Sequence, residues 1–376
     1  MDFHLDPDLQ EVAELAAKIF ADRCDPAHIR RIEREHGGFD ADLWRVLAES
    51  GLLGLTLEEQ HGGAGLGTPA LLALLEQQGR RVAPVPLWPV ITCGAEPIAD
   101  HGTAEQRSRW LPGILDGSLL VTGHVETAAD GSLPVVGTPD GDGWTLSGRL
   151  DLVIAAPVSA AVVVPFATPE GTRVAILPTD RLQVEPVATT DKHAAGAIDL
   201  TGVRAGPADL LAGSGCTGEE IVDRIRTRAR IALAALAVGV GSEAVAITAA
   251  YTSQRIQFGR PLSTNQAVAL RAADAHLDTE RIRLTAYQAA WHLARGEEDA
   301  ARAASLVAKW WTATGGLRAV HATQHLHGGI GADLDYPIHR YFLWGRQLAF
   351  TLGSAGAVET ELGDLLGDLP PIGAPA

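Results

Sequence analysis

Cysteine, methionine and basic side chains are all scarce in this chain of 376 residues. The 3 cysteines, Cys24, Cys93 and Cys216, are scattered, odd in number and never spaced as Cys-x-x-Cys. That argues against a disulfide framework and for reduced thiols in a cytoplasmic protein. Methionine occurs once amid abundant alanine and glycine, a bias of genome composition that carries no functional information. Lysine and arginine total 30 against 46 acidic residues, a formal net charge of −16. Such a surface argues against partners that are nucleic acid or anionic membrane, while leaving room for a local basic pocket. The first residues, MDFHLDPDLQEVAEL, show neither a basic segment nor an apolar core of a signal peptide. The longest apolar run, near Ile231–Ile247, is rich in alanine and glycine and carries Glu243, so it is expected to be a packed core helix and not a membrane span. No His/Cys/Asp cluster has metal-ligand spacing.

What is present is a globular composition, 46% hydrophobic and 20% charged, long enough for two or three packed units. Up to about residue 118 the apolar period is helical. Leu9, Val12, Leu15, Ala16 and Ile19 fall on one face of a helix over Asp8–Arg23. Asp40 caps a helix that Gly51 ends, and Thr68 or Pro69 opens another. Gly62, Gly63, Gly65 and Gly67 make a flexible loop; a helix and not a strand precedes it, which disfavours a phosphate cradle.

From Leu119 to about Gly215 the segments are short, β-branched and bounded by Gly, Pro and Asp, the pattern of successive antiparallel strands. Asp140-Gly-Asp-Gly143 reads as a hairpin turn. The last third returns to long helices: Gly218–Arg255, with a bend expected at Gly239 or Gly241, then Asn265–His292, then Asp299–His325. The expected architecture is α+β in three domains. These are a helical domain over 1–118, an antiparallel β-barrel or sandwich over 119–215, and a four-helix bundle over 216–376.

Arg-x-x-Phe-Gly-x-Pro-Leu-x-x-x-Gln over Arg255–Gln266, followed by Ala273-Asp274, resembles a signature of the acyl-CoA dehydrogenase family. His325-x-x-Gly328-Gly329 and Tyr336-Pro337 resemble the same family's C-terminal segment, with His325 where the family has Gln. Leu43-Trp44, Gly51-Leu-Leu-Gly-Leu55, His61-Gly-Gly-Ala-Gly-Leu-Gly67 and Leu75-Glu-Gln-Gln-Gly-Arg80 resemble its N-terminal helical domain, apart from Leu57–Glu58–Glu59 before the double glycine. The resemblance implies FAD as cofactor, shared across a subunit interface. One chain's β domain holds the flavin ring, while its neighbour's Arg-x-x-Phe-Gly and Gly-Gly segments hold pyrophosphate and adenosine. Carried over, the cofactor contacts are Arg255, Gln257, Phe258, Leu262, Asn265, Gln266, His325, Gly328 and Gly329. Arginine suits pyrophosphate because its fork presents several fixed donors to phosphate oxygens.

The resemblance also implies a carboxylate base beside the substrate's α-carbon. The family's C-terminal base position is Leu352 here, in Leu352-Gly353-Ser354, and a minority position on the long helix is Ala229. Neither is acidic. Glu359 and Glu361 are expected on a solvated face, and His124 and Glu126 are distant alternatives. Histidines 292, 321 and 327 read as packing or surface residues. The flavin-ring segments have also diverged: Val121–Glu126 lacks the following Gly-Ser-Asp, and Leu152–Ala156 stands where the family has Trp-Ile-Ser or Trp-Ile-Thr.

His327-Gly-Gly-x-Gly-x-Asp-x-Asp-x-Pro-x-His-Arg-Tyr-Phe-Leu343 further resembles the non-catalytic member of paired actinobacterial acyl-CoA dehydrogenase subunits that degrade steroid side chains. The resemblance therefore implies a base-lacking subunit of an α2β2 acyl-CoA dehydrogenase. Its catalytic partner would carry the Glu and bind most of the acyl-CoA, with an electron-transfer-flavoprotein type of acceptor. Two alternatives stand beside it. One is a self-sufficient homomeric flavoenzyme, either a dehydrogenase with a relocated base or an oxidase or monooxygenase. The other is a flavin-free binding protein.

Overall fold

The computed structural model describes residues 6–128 and 131–367. The chain begins with helices α1 (Pro7–Arg23), α2 (Pro26–Glu35), α3 (Ala41–Glu49), α4 (Gly67–Arg81), α5 (Leu87–Val90), α6 (Glu96–His101) and α7 (Ala104–Leu115). Their starts follow local chemistry. The Asp40 carboxylate accepts from the Leu43 amide at 3.0 Å, and Gly51 follows α3 in a left-handed conformation. Thr103 and Gln106 form a reciprocal capping box at α7. Helix α2 buries Ile29 and Ile32 on one face amid charged residues, and Asp25 and Pro26 start it.

The middle of the chain is a sheet of β1 (Val121–Gly123), β2 (Val135–Asp140), β3 (Gly143–Ile154), β4 (Ala161–Thr168), β5 (Gly171–Pro178), β6 (Gln183–Pro186), β7 (Ala195–Asp199) and β8 (Arg204–Ala205). The order is β1-β4-β2-β3-β7-β6, with β5 on β4 and β8 on β3. Asp140 pairs with Gly143 across the expected two-residue hairpin. Most pairings are antiparallel, but β1–β4 and β2–β4 are parallel, which short alternating strands do not announce. Leu146 and Val153 lie on the single strand β3, whose pairing with β7 shifts register between Leu150 and Val153. Val135, Leu146, Leu150, Val162, Val164, Phe166, Leu177 and Ile198 are buried in the sheet's core.

The last third comprises α8 (Gly218–Gln254), a small hairpin of β9 (Ile256–Gln257) and β10 (Arg260–Pro261), then α9 (Gln266–Ala294), α10 (Glu298–Trp311), α11 (Leu317–His327), α12 (Ile338–Phe350) and α13 (Ala355–Gly367). Helix α8 is long and apolar enough to cross a membrane, yet 72% of its most apolar window is buried within the protein. Its glycines are there for close approach. A Cβ on Gly239 would lie 2.0 Å from the Glu76 carbonyl, and one on Gly79 would lie 2.2 Å from the Leu236 carbonyl, so α4 and α8 touch backbone to backbone. The stretch over 299–325 is one unbroken helical run, α10 passing into α11 through a π turn at Thr312–Gly316. By its contacts the chain divides into two compact units, Asp8–Leu74 with Ala83–Ala229, and Leu75–Val82 with Arg230 onward.

Candidate cofactor-contact site

Helix α8 runs directly into the β9–β10 hairpin. The Leu262 amide donates to the Arg255 carbonyl at 2.9 Å, closing the hairpin's base. Its turn is Phe258-Gly259, with φ of 54° and 76°. Two consecutive positive φ values are what a tight hairpin turn requires, and glycine meets that without strain whereas phenylalanine does not. Phe258 is 96% exposed and so is not a core residue. Arg255 is also exposed, and no carboxylate among the described residues lies within ion-pair distance of it. A structural role for either side chain would require the opposite. Gln257 donates to the Ile256 carbonyl, Leu262 is half-buried, and Asn265 caps α9 by accepting from the Ala267 amide at 3.0 Å. Gln266 is exposed in the first turn of α9.

The second cluster lies at the end of α11. Gly328 has φ 65°, and a Cβ on Gly328 or Gly329 would meet nothing within 4 Å, so the backbone there is open to an incoming group. Gly331 is different, since a Cβ would lie 2.6 Å from the Gln324 carbonyl and the glycine serves packing.

Both clusters stand at one end of the bundle because of residues the sequence did not single out for that role. Tyr251, one turn before Arg255, stacks on His327, immediately before Gly328, with ring centroids 4.6 Å apart and planes at 24°. Tyr336 packs edge-on to Tyr251 and tilted against His327. His327 donates from Nδ1 to the Thr323 carbonyl at 2.8 Å, and burial holds its pKa below the ordinary value. Arg271 of α9, beyond the Arg255–Gln266 segment, donates from Nη1 to His325 Nδ1 at 2.9 Å and ties α9 to the second cluster. The available signals were weak: an aromatic one helical turn before the arginine, and a histidine beside the double glycine.

The two positions expected to carry a base are apolar and buried. Leu352 is buried, with φ 59°, and Ala229 is fully buried. Lys309, fully buried, donates to the carbonyls of Leu348 and Ala349 at 3.1 and 2.9 Å, holding the end of α12 just before Leu352. Glu361 is half-buried rather than freely solvated, and the buried Arg230 guanidinium forks onto it at 2.9 and 2.5 Å. Glu359 is exposed. In the β region, Thr122 Oγ1 donates to the Ile154 carbonyl at 2.7 Å and His124 Nδ1 donates to the Leu152 carbonyl at 3.2 Å. The two segments expected to face a flavin ring are thus bonded to each other. Asp191 and His193 form a buried pair at 2.9 Å elsewhere in the same region.

The fold and these segments are those of a flavoenzyme of acyl thioesters. The family model "Acyl-CoA dehydrogenase, N-terminal domain" matches residues 6–118, and "Acyl-CoA dehydrogenase, C-terminal domain" matches residues 218–360. Acyl-CoA dehydrogenase FadE27 of Mycobacterium tuberculosis is 31% identical over 98% of this chain and 100% of its own length. The chain belongs to the acyl-CoA dehydrogenase family, whose members are FAD-dependent oxidoreductases acting on CH–CH groups. A chain of the Tcur3481–Tcur3483 steroid ACAD is 45% identical, with a TM-score of 0.89 over 96% of this chain and 98% of that one. A chain of the ChsE4–ChsE5 complex from Mycobacterium tuberculosis is 31% identical, with a TM-score of 0.91 over 98% of this chain and 100% of that one.

Proposed function

We propose that this chain is the base-lacking subunit of a heteromeric, α2β2 acyl-CoA dehydrogenase of the cytoplasm. In that assembly it lends the pyrophosphate and adenosine contacts to FAD whose ring lies on a catalytic partner. The observation that carries this reading is an asymmetry of exposure. The side chains of Arg255 and Phe258 and the Gly328–Gly329 backbone are exposed, whereas Leu352 and Ala229, the positions expected for the base, are buried and apolar. The residues present fit a dinucleotide. An exposed guanidinium with no acid partner suits pyrophosphate, and a backbone with no Cβ in the way suits a flat group lying close. FAD supplies the acceptor for the β-hydride; this chain's residues hold its far end and supply no proton acceptor at the α-carbon.

A partner chain is further supported by α9. Leu270, Leu277, Leu284 and Trp291 are exposed and recur every seven residues. That stripe runs ~30 Å along the helix, a length that isolated solvent-facing leucines do not explain. The paired composition of the ChsE4–ChsE5 complex and the steroid substrate class of the Tcur3481–Tcur3483 enzyme support a steroid-side-chain CoA thioester as substrate, bound mainly by the partner. An electron-transfer flavoprotein would then reoxidise the cofactor.

Expression of the chain alone and beside a related chain that carries the Glu tests this. Alone it should be colourless or poorly soluble; together they should give yellow protein with about one FAD per αβ pair. A yellow, active homo-oligomer from this chain by itself overturns the proposal.

A further inference from the structure

Helices α9 and α11 enclose a groove of about 460 Å³ lined by Arg271, Asp274, Asp278, Arg281, Arg318 and His325, among others. Its charges are unevenly matched. Arg318 forks onto the buried Asp278 at 3.0 and 2.8 Å, and Arg281 reaches the same carboxylate at 2.7 Å. Arg271, at the other end, has no carboxylate within ion-pair distance among the described residues; its contact is the imidazole of His325.

The contact also sets the roles of the His325 ring nitrogens. A guanidinium only donates, so in this contact Nδ1 accepts and Nε2 is left to face a ligand. The pair therefore presents two kinds of donor at one point: the remaining N–H groups of Arg271 and the Nε2–H of His325. Along their own helices, Arg271 follows Gln266 in the opening turns of α9 and His325 precedes the open backbone of Gly328 and Gly329 at the end of α11.

We infer that Arg271 is a further cofactor-contact residue, binding the adenosine-diphosphate part of the dinucleotide and setting the tautomer in which His325 donates to it. This rests on the proposed function and deepens it. Arg271 supplies positive charge to the phosphates beyond that of Arg255. His325 Nε2–H supplies a neutral donor that a side-chain amide could replace.

The test uses the full-length chain in its FAD-bearing assembly, stripped of flavin and titrated with FAD and, separately, with ADP. Arg271→Gln should weaken both by about tenfold, the loss of one charge-assisted hydrogen bond, and should flatten the salt dependence of binding. His325→Gln should stay within about threefold of the unchanged protein, whereas His325→Leu should behave like Arg271→Gln. Arg271→Lys, which keeps the charge without the fork, should fall between. The side chains are exposed, and unchanged melting temperatures would show that the variants fold. If Arg271→Gln binds FAD and ADP as tightly as the unchanged assembly while Arg255→Ala does not, Arg271 is a bystander and this inference fails alone. If Arg255→Ala is also without effect, the inference falls together with the proposed function.

Discussion

Tyr251 and His327, 76 residues apart in sequence, lie face to face 4.6 Å apart, and the Tyr251 hydroxyl reaches the His327 carbonyl at 3.4 Å. This stack brings the end of α8 to the end of α11, and with them Arg255 to the Gly328–Gly329 backbone. Replacing Tyr251 by leucine keeps most of the apolar area but removes the stack. A loss of about 1 kcal/mol in stability is expected, together with weaker FAD retention although no proposed contact residue has changed. Denaturant unfolding and the flavin content after gel filtration would check both; unchanged flavin content would show that the stack does not organise the site.

Gly239 should not tolerate a side chain. Its Cβ would stand 2.0 Å from the Glu76 carbonyl and 2.8 Å from the Arg80 amide, so α4 and α8 would have to separate. Gly239→Ala should destabilise by about 2 kcal/mol or more even though alanine is the better helix former. A melting temperature equal to or above that of the unchanged chain would contradict the backbone contact.

Lys309 is fully buried and binds two carbonyls at the end of α12. Lys309→Met keeps the stem and removes the donors, leaving those carbonyls without this partner. A loss of about 2–3 kcal/mol is expected, read by urea unfolding. Little change would mean that water or backbone rearrangement satisfies the helix end.

Leu352→Glu restores the acid type at the family's base position, but in a buried site with apolar surroundings. It should cost about 2–4 kcal/mol of stability and generate no dehydrogenase activity in this chain alone. Turnover of an acyl-CoA by the isolated variant would show that the flavin-ring side is still functional.

Stability should fall on mild acidification. His101, His124 and His327 are buried, and desolvation holds each imidazole below its ordinary pKa of 6.5. Above that value the folded and unfolded chains are both neutral at these sites, and the stabilisation is complete. As pH falls below it the unfolded chain takes up protons that the folded chain does not, at about 1.4 kcal/mol per proton per pH unit. Thermal melts from about pH 7.5 to about pH 5 should show the decline, and His327→Gln should make it shallower. A melting temperature that is level over this range would rule the mechanism out.

The sequence by itself determined the order of helical, strand and helical segments, because apolar periods of 3.6 and 2 are local properties, as are caps such as Asp40 and Thr103 and the Asp140–Gly143 turn. It also carried the residue types at Arg255, Phe258, Gly328 and Leu352, and hence the likeness to the acyl-CoA dehydrogenase family. It could not carry pairings between distant segments. The parallel partners of β4, the α4–α8 backbone contact at Gly79 and Gly239, the partner of Glu361, and the Arg271–His325 contact each depend on which atoms meet in space. Tertiary structure decided these because hydrogen bonds and steric exclusion act over a few ångströms, whatever the separation along the chain.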